Sequence, residues 1–330
     1  MKILVTGAAG FIGFHITKSL LEMGYSVVCI DNFNSYYSTK LKKDRVAELR
    51  KINSGDLEFL EGDLVDAKFI KGVFRNDTFS TVLHLAAQAG VRYSISNPMA
   101  YIDSNVVGFM NILEEVRQYK IAHFMYASSS SVYGMNEKQP FETLDKVDSP
   151  VSFYAATKRS NELFAHTYSH LYQIPTTALR FFTVYGPYGR PDMAYYKFTN
   201  AILNKEKIQI FNEGNMMRDF TYISDVVDAV ISLMVKFPKL KQQQHSNTNA
   251  PFRIFNIGNN TPIRLLDFIT EIEDALEAKA DIDLLPMQQG DVIETYANID
   301  DLVSEIGKSP NVSIKQGIEK FVAWYKNYNL

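Results

Sequence analysis

Cysteine, net charge and long apolar runs are all scarce in this sequence, and each scarcity excludes a class of protein. The 330 residues include one cysteine, Cys29, so no intrachain disulfide forms. No window contains the roughly 18 uninterrupted apolar residues of a membrane span. A net charge of −3 favours neither nucleic acid nor an anionic membrane as partner. Without a membrane span, we expect a cytoplasmic globular protein. The histidines lack metal-ligand spacing, so we expect no metal site.

Short β-branched segments alternate with longer segments of helical periodicity through the first half of the chain. The strand-like segments are Lys2–Thr6, Ser26–Ile30, Leu57–Glu61, Thr81–Leu85, His123–Ser128 and Thr176–Arg180. The helical segments include Phe14–Met23, Asn105–Tyr119 and Tyr154–Leu171, with apolar residues three and four positions apart. This alternation predicts an α/β fold with a Rossmann-like, doubly wound parallel sheet that helices cover on both faces.

The alternation ends after Arg180, which indicates a second domain. Residues 183–222 are rich in Gly, Pro, Asn and aromatic residues, as in a binding region built from loops. Residues 259–330 contain short helices separated by turn signals, whereas Arg253–Ile257 predicts one more strand of the main sheet. We therefore predict a first domain of residues 1–182, to which 223–258 return, and a smaller mixed α/β domain of 183–222 and 259–330. The Gln-rich segment Lys236–Pro251 is predicted to be a surface loop.

A glycine-rich segment follows the first predicted strand directly and opens the first predicted helix. Gly7, Gly10 and Gly13 have the spacing G-x-x-G-x-x-G. Glycines here allow the backbone to approach a pyrophosphate, whose charge a helix N-terminus stabilises. Asp31 ends the second predicted strand, where a carboxylate accepts hydrogen bonds from ribose hydroxyls and repels a 2′-phosphate. The combination predicts that residues 1–182 bind NAD rather than NADP.

A second group of residues offers side chains that can move protons. Tyr154 and Lys158 are four positions apart, on one face of a predicted helix. A phenol has a pKa near ~10, so it becomes a base at neutral pH only where positive charge stabilises the phenolate. Ser128–Ser131 follow a strand-like segment, and a serine there lies at the ligand-binding edge of a doubly wound sheet. Taken singly, these patterns also fit ordinary helix packing and a polar turn.

Together the motifs resemble the extended short-chain dehydrogenase/reductase superfamily, in its NAD-dependent epimerase/dehydratase branch. The matching segments span the chain and are Gly7–Gly13, Asp31–Asn32, Gly62–Leu64, His84–Ala87, Ser128–Gly134, Tyr154–Lys158 and Arg218–Phe220. The resemblance implies a Rossmann sheet of about seven strands, a smaller C-terminal nucleotide-sugar domain and NAD as the cofactor. It also implies a homodimer formed through a helical bundle.

The resemblance assigns roles to individual positions. Tyr154 would be the catalytic base, Ser129 its hydroxyl partner, and Lys158 the residue that binds the nicotinamide ribose. The other residues implied to contact NAD are Gly7, Gly10, Phe11, Ile12, Gly13, Asp31, Asn32, Asp63, Leu64, Leu85, Ala86, Ala87 and Gln88.

Within this branch the sequence is most similar to the UDP-glucuronate 4-epimerases. The similarity lies in Tyr126–Gly134, Arg180–Met193 and Leu285–Val292. UDP-glucose 4-epimerases usually have Asn at the position of Thr183 and Arg near Gln288, which disfavours neutral hexoses as the main substrates here. Three alternatives stay open: a UDP-glucose or UDP-N-acetylhexosamine 4-epimerase, a UDP-glucuronate decarboxylase, and a non-catalytic nucleotide-sugar-binding protein.

The residues beside the catalytic serine disfavour elimination chemistry. Dehydratases of the branch have an acidic pair there, whereas this chain has Ser130 and Ser131. By resemblance, these serines and Thr183 would offer hydroxyls to the sugar carboxylate, and Arg190 would offer a charged contact. The residues implied to bind the uridine diphosphate group are Phe211 near uracil, Arg218 at the pyrophosphate and Asp291 at the ribose.

Overall fold

The structure is a computed structural model that describes residues 1–238, 249–288 and 292–329. Its strands, in chain order, are β1 (Lys2–Thr6), β2 (Ser26–Asp31), β3 (Asp56–Glu61), β4 (Thr81–His84), β5 (His123–Ser129), β6 (Thr176–Phe181), β7 (Thr183–Tyr185), β8 (Lys207–Phe211), β9 (Met217–Tyr222), β10 (Phe252–Ile257), β11 (Pro262–Arg264) and β12 (Asp281–Leu285). Its α-helices are α1 (Phe11–Glu22), α2 (Thr39–Leu49), α3 (Ala67–Asn76), α4 (Tyr93–Ser96), α5 (Pro98–Tyr101), α6 (Gly108–Gln118), α7 (Phe153–Tyr172), α8 (Ala194–Leu203), α9 (Ile223–Met234), α10 (Leu265–Leu276), α11 (Asp300–Ile306) and α12 (Ile314–Asn329). A π-helical segment, Ile102–Val107, runs into α6.

Seven parallel strands form the main sheet in the order β10-β6-β5-β4-β1-β2-β3. This arrangement confirms the predicted Rossmann-like, doubly wound fold, and β10 is the strand predicted at Arg253–Ile257. From β1 the chain moves first to β2 and β3 on one side, and then to β4, β5 and β6 on the other. At such a switch point the connections diverge, so a crevice opens at the carboxyl ends of β1 and β4.

Alternate residues of the central strands enter two apolar cores, one on each face of the sheet. Ile3 and Val5 of β1 belong to the first core, whereas Leu4 belongs to the second. All three are fully buried, as expected for a parallel strand covered by helices on both faces. Cys29 of β2 is buried as well, and burial raises its pKa to about 12, so the thiol stays protonated and unreactive.

The segment 183–222 holds more regular structure than its composition predicted. It contains β7, β8, β9 and α8, so the interpretation as a region of loops is wrong. Its aromatic residues explain the difference, because Tyr195 and Phe198 of α8 are buried, and Phe220 of β9 stacks on Phe268 of α10. Further along the chain, β11 pairs with β9 and β12 pairs with β8. The predicted domain boundaries stay a prediction.

Most of the predicted surface loop Lys236–Pro251, residues 239–248, lies outside the described residues. In the described ranges, no helix is both long enough and apolar enough to cross a membrane. Over the same ranges, no group of three or more His, Cys, Asp or Glu side chains is arranged to hold a metal ion.

Phe268→Ala should lower the free energy of unfolding by about 3–5 kcal/mol. The ring is fully buried and stacks on Phe220 with centroids 3.8 Å apart, so its removal leaves a cavity. Urea titration followed by circular dichroism measures the loss. Leu144→Ala is the control, because Leu144 is 66% exposed and its truncation should change stability by less than ~0.5 kcal/mol. Equal stability of the two variants would contradict the role of the stacked pair.

Candidate active site

The glycine-rich segment turns tightly against the neighbouring strand. Gly7 has a φ of +73°, and a Cβ on it would lie 2.7 Å from the backbone of Ala86. A Cβ on Gly13 would lie 2.1 Å from the carbonyl oxygen of Gly7. Gly10 precedes α1, and no described side chain caps the first N–H groups of that helix. Glycine is therefore required in this turn, which leaves the positive end of α1 open to an anion.

Asp31 ends β2 beside this turn. Its carboxylate accepts hydrogen bonds from the backbone N–H groups of Ala9 at 3.0 Å and Phe33 at 2.9 Å. Burial raises the pKa of Asp31, while these bonds and the Lys42 ammonium oppose the shift. Lys42 itself donates to the carbonyl and side-chain oxygens of Asn34 at 2.7 and 2.8 Å. A carboxylate and an ammonium therefore lie together at this end of the crevice, although no sequence pattern indicated Lys42.

One cleft joins the glycine turn to the region of Tyr154. It brings together most of the residues that the sequence singled out. The predicted residues that line it are Gly7, Gly10, Phe11, Ile12, Gly13, Asp31, Asn32, Asp63, Leu64, Leu85, Ala86, Ala87, Gln88, Ser129, Tyr154, Lys158 and Arg190. Asn32 and Asp63 also bond to each other at 2.9 Å.

The lining of this cleft does not include the predicted substrate residues Ser130, Ser131 and Thr183. Ser130 and Ser131 form a 3-10 turn directly after Ser129, and the backbone N–H of Ser131 donates to the Ser129 hydroxyl at 3.2 Å. Thr183 begins β7, two residues after the end of β6. Asp291 lies outside the described residues. The roles predicted for these four residues stay predictions.

Phe211 and Arg218 also lie outside the lining of the cleft. The guanidinium of Arg92 packs over the Phe211 ring, 4.9 Å from its centroid. Arg218 donates to three backbone carbonyl oxygens at 2.6–2.8 Å, those of Met217, Val292 and Ile293. The structure therefore places Arg218 against the segment that begins at residue 292.

Tyr154 and Lys158 project from α7 towards the end of β5. Lys158 is 2% exposed and donates to the Ala127 carbonyl oxygen at 2.8 Å, and burial lowers its pKa to about 7. Burial raises the pKa of Tyr154, whereas the Ser129 side chain and the charge of Arg190 lower it. The phenol, the hydroxyl and the ammonium thus form one cluster in which a proton can pass between oxygens.

The π-helical segment and the residue before it contact the residues around this cluster. Asn105 accepts from the Gln88 N–H at 2.8 Å and donates to the Gln88 carbonyl at 3.0 Å and to the Thr157 hydroxyl at 3.1 Å. Tyr101 packs edge-on against Tyr154, with ring centroids 6.0 Å apart. Sequence reasoning missed both residues, because apolar periodicity does not reveal a π-helix or the direction of its polar side chains.

Arg45 of α2 is fully buried and joins the glycine turn to the segment that carries Arg190. Its guanidinium donates to the Ala9 carbonyl at 2.7 Å, to the Tyr37 hydroxyl at 2.8 Å and to the Tyr188 carbonyl at 2.7 and 3.2 Å. Arginine in a polar helix is ordinarily exposed, so the sequence contained no signal for this role.

A glycine turn, an acidic residue at the end of β2 and a serine–tyrosine–lysine cluster in one cleft define an extended short-chain dehydrogenase/reductase. The chain belongs to the NAD dependent epimerase/dehydratase family, whose model matches residues 3–258.

Individual relatives match the whole chain. Protein CapI of Staphylococcus aureus is 52% identical, and the match covers 99% of each chain. A probable UDP-glucuronate 4-epimerase of Rhizobium meliloti is 45% identical over 99% of this chain and 98% of the relative. The crystal structure of UDP-glucuronic acid 4-epimerase from Bacillus cereus, in complex with UDP-glucuronic acid and NAD, is similar with a TM-score of 0.88, at 32% identity and 99% coverage of each chain.

Ser129→Ala should lower kcat and move the acidic limb of the pH–rate profile to higher pH. Its hydroxyl lowers the pKa of Tyr154, so without it the phenolate forms only at higher pH. The measurement is kcat against pH for the holoenzyme. Ser160→Ala is a matched control on α7, because that hydroxyl donates to the Ala156 carbonyl of its own helix at 2.9 Å. A limb that does not move would contradict the influence of Ser129 on the pKa of the phenol.

Proposed function

We propose that the protein catalyses the NAD-dependent 4-epimerisation of a UDP-sugar, converting UDP-glucuronate to UDP-galacturonate. The observation that carries this proposal is the cluster of Ser129, Tyr154 and Lys158 in a dinucleotide cleft. The full-length similarity to UDP-glucuronate 4-epimerases supports the uronate as the substrate.

The residues of the cleft fit NAD. The glycine turn has no room for a Cβ, so the N-terminus of α1 would meet the pyrophosphate, and Asp31, which lines the cleft, would accept hydrogen bonds from ribose hydroxyls. Lys158 is proposed to bind the nicotinamide ribose. When bound, NAD would supply hydride transfer from and back to C4 of the sugar, so the reaction would consume no external redox partner.

The protein's own groups handle the proton of the C4 hydroxyl. The Tyr154 phenolate takes this proton, directly or through Ser129, as the C4 hydride leaves. The Ser129 hydroxyl and the charge of Arg190 favour the phenolate, and Lys158 is proposed to add its charge when it is protonated. The 4-keto sugar then rotates about its pyrophosphate link, receives hydride on its other face, and recovers the proton from Tyr154. The stereochemistry at C4 is thereby inverted.

The side chains that follow Ser129 separate this reaction from dehydration. Elimination needs an acid to expel the C6 hydroxyl and a base to remove the C5 proton. Ser130 and Ser131 provide only hydroxyls, which are neither acid nor base near neutral pH. Epimerisation needs neither group, so the residues present suit it.

Four side chains are proposed to hold the sugar carboxylate. β5 and β6 are neighbours in the sheet, so Ser130, Ser131 and Thr183, which follow their ends, leave the sheet at the same edge. Arg190 lines the cleft, and its charge acts on Tyr154. Several fixed donors keep the carboxylate's C–C bond out of alignment with the keto group, which opposes loss of CO2.

Three further residues are proposed to bind the rest of the nucleotide. The Phe211 ring would pack near uracil, Arg218 would bind the pyrophosphate, and Asp291 would bind the uridine ribose. A guanidinium suits phosphate oxygens because its N–H groups form a planar fork.

Incubation of the purified protein with UDP-glucuronate, without added NAD, tests the function. NMR of the sugar should show the galacto isomer, because NAD is regenerated in each turnover and stays bound. CO2 release with a pentose product would instead identify a decarboxylase. Conversion of UDP-glucose or UDP-N-acetylhexosamine alone would identify a neutral-sugar epimerase, and no turnover with bound NAD would favour a binding protein.

Tyr154→Phe should reduce turnover by about 10²–10⁴-fold while NAD stays bound, because the variant loses only the group that moves the proton. NMR of the product and the absorbance of released cofactor measure the two effects. Tyr168→Phe is the matched control on the same helix, where the hydroxyl donates to Glu114 instead. Full activity of the Tyr154 variant would exclude Tyr154 as the base.

We further propose a cytoplasmic homodimer. Its contact surface would be the side of α5, the π-helical segment and α7 that carries Met99, Val107, Phe153 and Leu163. These apolar residues are 38–64% exposed. The π-helical segment packs against α7, so the exposed residues belong to one helical layer. A reducing compartment is compatible with a single, buried cysteine.

Leu163→Glu should convert the dimer to a monomer, because an unpaired charge is costly in an apolar contact. Size-exclusion chromatography with light scattering measures the mass. Leu144→Glu is the control, since Leu144 is also exposed but lies in the loop between β5 and α7 and not on one of these helices. A dimer that persists in the Leu163 variant would place the contact elsewhere.

A further inference from the structure

Arg190 is already engaged by a carboxylate of its own segment. Its Nε donates to Asp192 Oδ1 at 3.0 Å, and its Nη2 donates to Asp192 Oδ2 at 2.5 Å. The Tyr36 hydroxyl, from the loop after β2, donates to the same Oδ2 at 3.3 Å. Burial alone would raise the pKa of Asp192, but the Arg190 guanidinium holds it below its ordinary value, so Asp192 is ionised at neutral pH.

The pairing uses one particular edge of the guanidinium. A carboxylate can bind an arginine with two parallel hydrogen bonds along the edge formed by Nε and one terminal nitrogen. Asp192 occupies that edge, and Nη1 donates no hydrogen bond to any described residue. Arg190 lines the cleft, whereas Asp192 does not. A ligand in the cleft therefore meets a guanidinium whose charge is partly compensated by Asp192 and whose side-on edge is taken.

Hydrogen bonds hold the backbone on both sides of Arg190 and Asp192. Arg45 donates to the Tyr188 carbonyl at 2.7 Å and to the Gly189 carbonyl at 3.3 Å. The Met193 N–H donates to the Arg190 carbonyl at 3.1 Å, which closes a turn around Asp192. These bonds fix the backbone on both sides of the pair in the folded protein.

The strength with which Arg190 attracts a carboxylate matters because the bound sugar has to rotate during the proposed reaction. A fully charged, side-on arginine would bind a sugar carboxylate tightly in the starting orientation and oppose rotation of the 4-keto intermediate. Binding that is stronger in a ground state than in the following transition state lowers kcat. A compensated guanidinium can still select for a carboxylate while releasing it at each rotation.

We propose that Asp192 is a specificity-determining residue that sets how strongly Arg190 holds the carboxylate of a UDP-uronate. This inference rests on the proposed function and deepens it, because it assigns a role to a residue that neither sequence motifs nor the lining of the cleft indicated. Asp192 touches Arg190 and acts on the sugar through it.

Asp192→Asn should tighten binding of the uronate selectively, because it removes the competing charge while keeping one acceptor oxygen. In a Tyr154→Phe holoenzyme, which binds without turnover, calorimetry should show UDP-glucuronate bound about tenfold more tightly and UDP-glucose unchanged within about twofold. In the active enzyme, KM and kcat for UDP-glucuronate should both fall. Asp192→Glu, which retains the negative charge, should return both constants towards their original values.

Two controls make the result specific to the pair. Asp77→Asn removes another partly buried carboxylate paired with a cation, Lys2, and should leave both affinities unchanged. Arg190→Ala combined with Asp192→Asn should abolish the selective gain, because the gain acts through Arg190. If the Asn variant does not fold, as judged by its thermal unfolding, Asp192→Ser removes the same charge and replaces it in every measurement.

Several results would overturn the inference. These are equal changes in affinity for the two nucleotides, a weaker hold on UDP-glucuronate, and a gain that survives the loss of Arg190. A protein that binds UDP-glucuronate selectively but never epimerises it would refute the proposed function and leave the affinity test of Asp192 readable. A protein that epimerises UDP-glucuronate with an unchanged affinity ratio in Asp192→Asn would refute only the role of Asp192.

Discussion

The buried ion pair between Glu162 and Arg180 is the interaction on which the geometry of the site depends. Both residues are 1% exposed, and two hydrogen bonds of 2.8 and 2.9 Å join the helix that carries Tyr154 to a central strand of the sheet. Ser128, next to Ser129, donates to the same carboxylate at 2.7 Å. Burial would raise the pKa of Glu162, but Arg180 and these bonds hold it low, so the carboxylate stays charged. Breaking such a pair typically costs 3–5 kcal/mol, which makes the relative position of helix and strand rigid.

Burial is the largest influence on the pKa values of Lys158 and Tyr154. No acidic residue contributes to the pKa shift of Lys158, whose ammonium is therefore only marginally favoured near neutral pH. The phenol of Tyr154 is disfavoured as an anion by burial and favoured by Ser129 and Arg190. The pKa of Tyr154 thus depends on a few favourable contacts, one of which is the charge of Arg190. Asp192 pairs with Arg190 and so changes the charge that the cleft and its ligand experience, although Asp192 does not line the cleft.

Sequence reasoning recovered the features that depend on local periodicity and local sterics. The strands from Lys2–Thr6 to Thr176–Phe181 were predicted within one or two residues, because the inner parallel strands are buried on both faces and are rich in apolar residues. The glycine turn was recognised because glycine spacing directly reflects where a Cβ cannot fit. The segment 183–222 was misread as loops, because its aromatic residues support regular structure only through contacts such as Phe220 with Phe268.

The amino-acid sequence by itself determined the sheet, the glycine turn and the Ser129, Tyr154 and Lys158 set, since each is encoded in spacings of a few residues. Only the tertiary structure decided what surrounds them. Arg45 with Tyr188, Asn105 with Gln88 and Arg190 with Tyr36 through Asp192 bring together distant parts of the chain. The sequence does not show whether a polar side chain is solvated or forms a buried pair. Its partner is determined only when the helices and strands pack together and exclude water from the side chain.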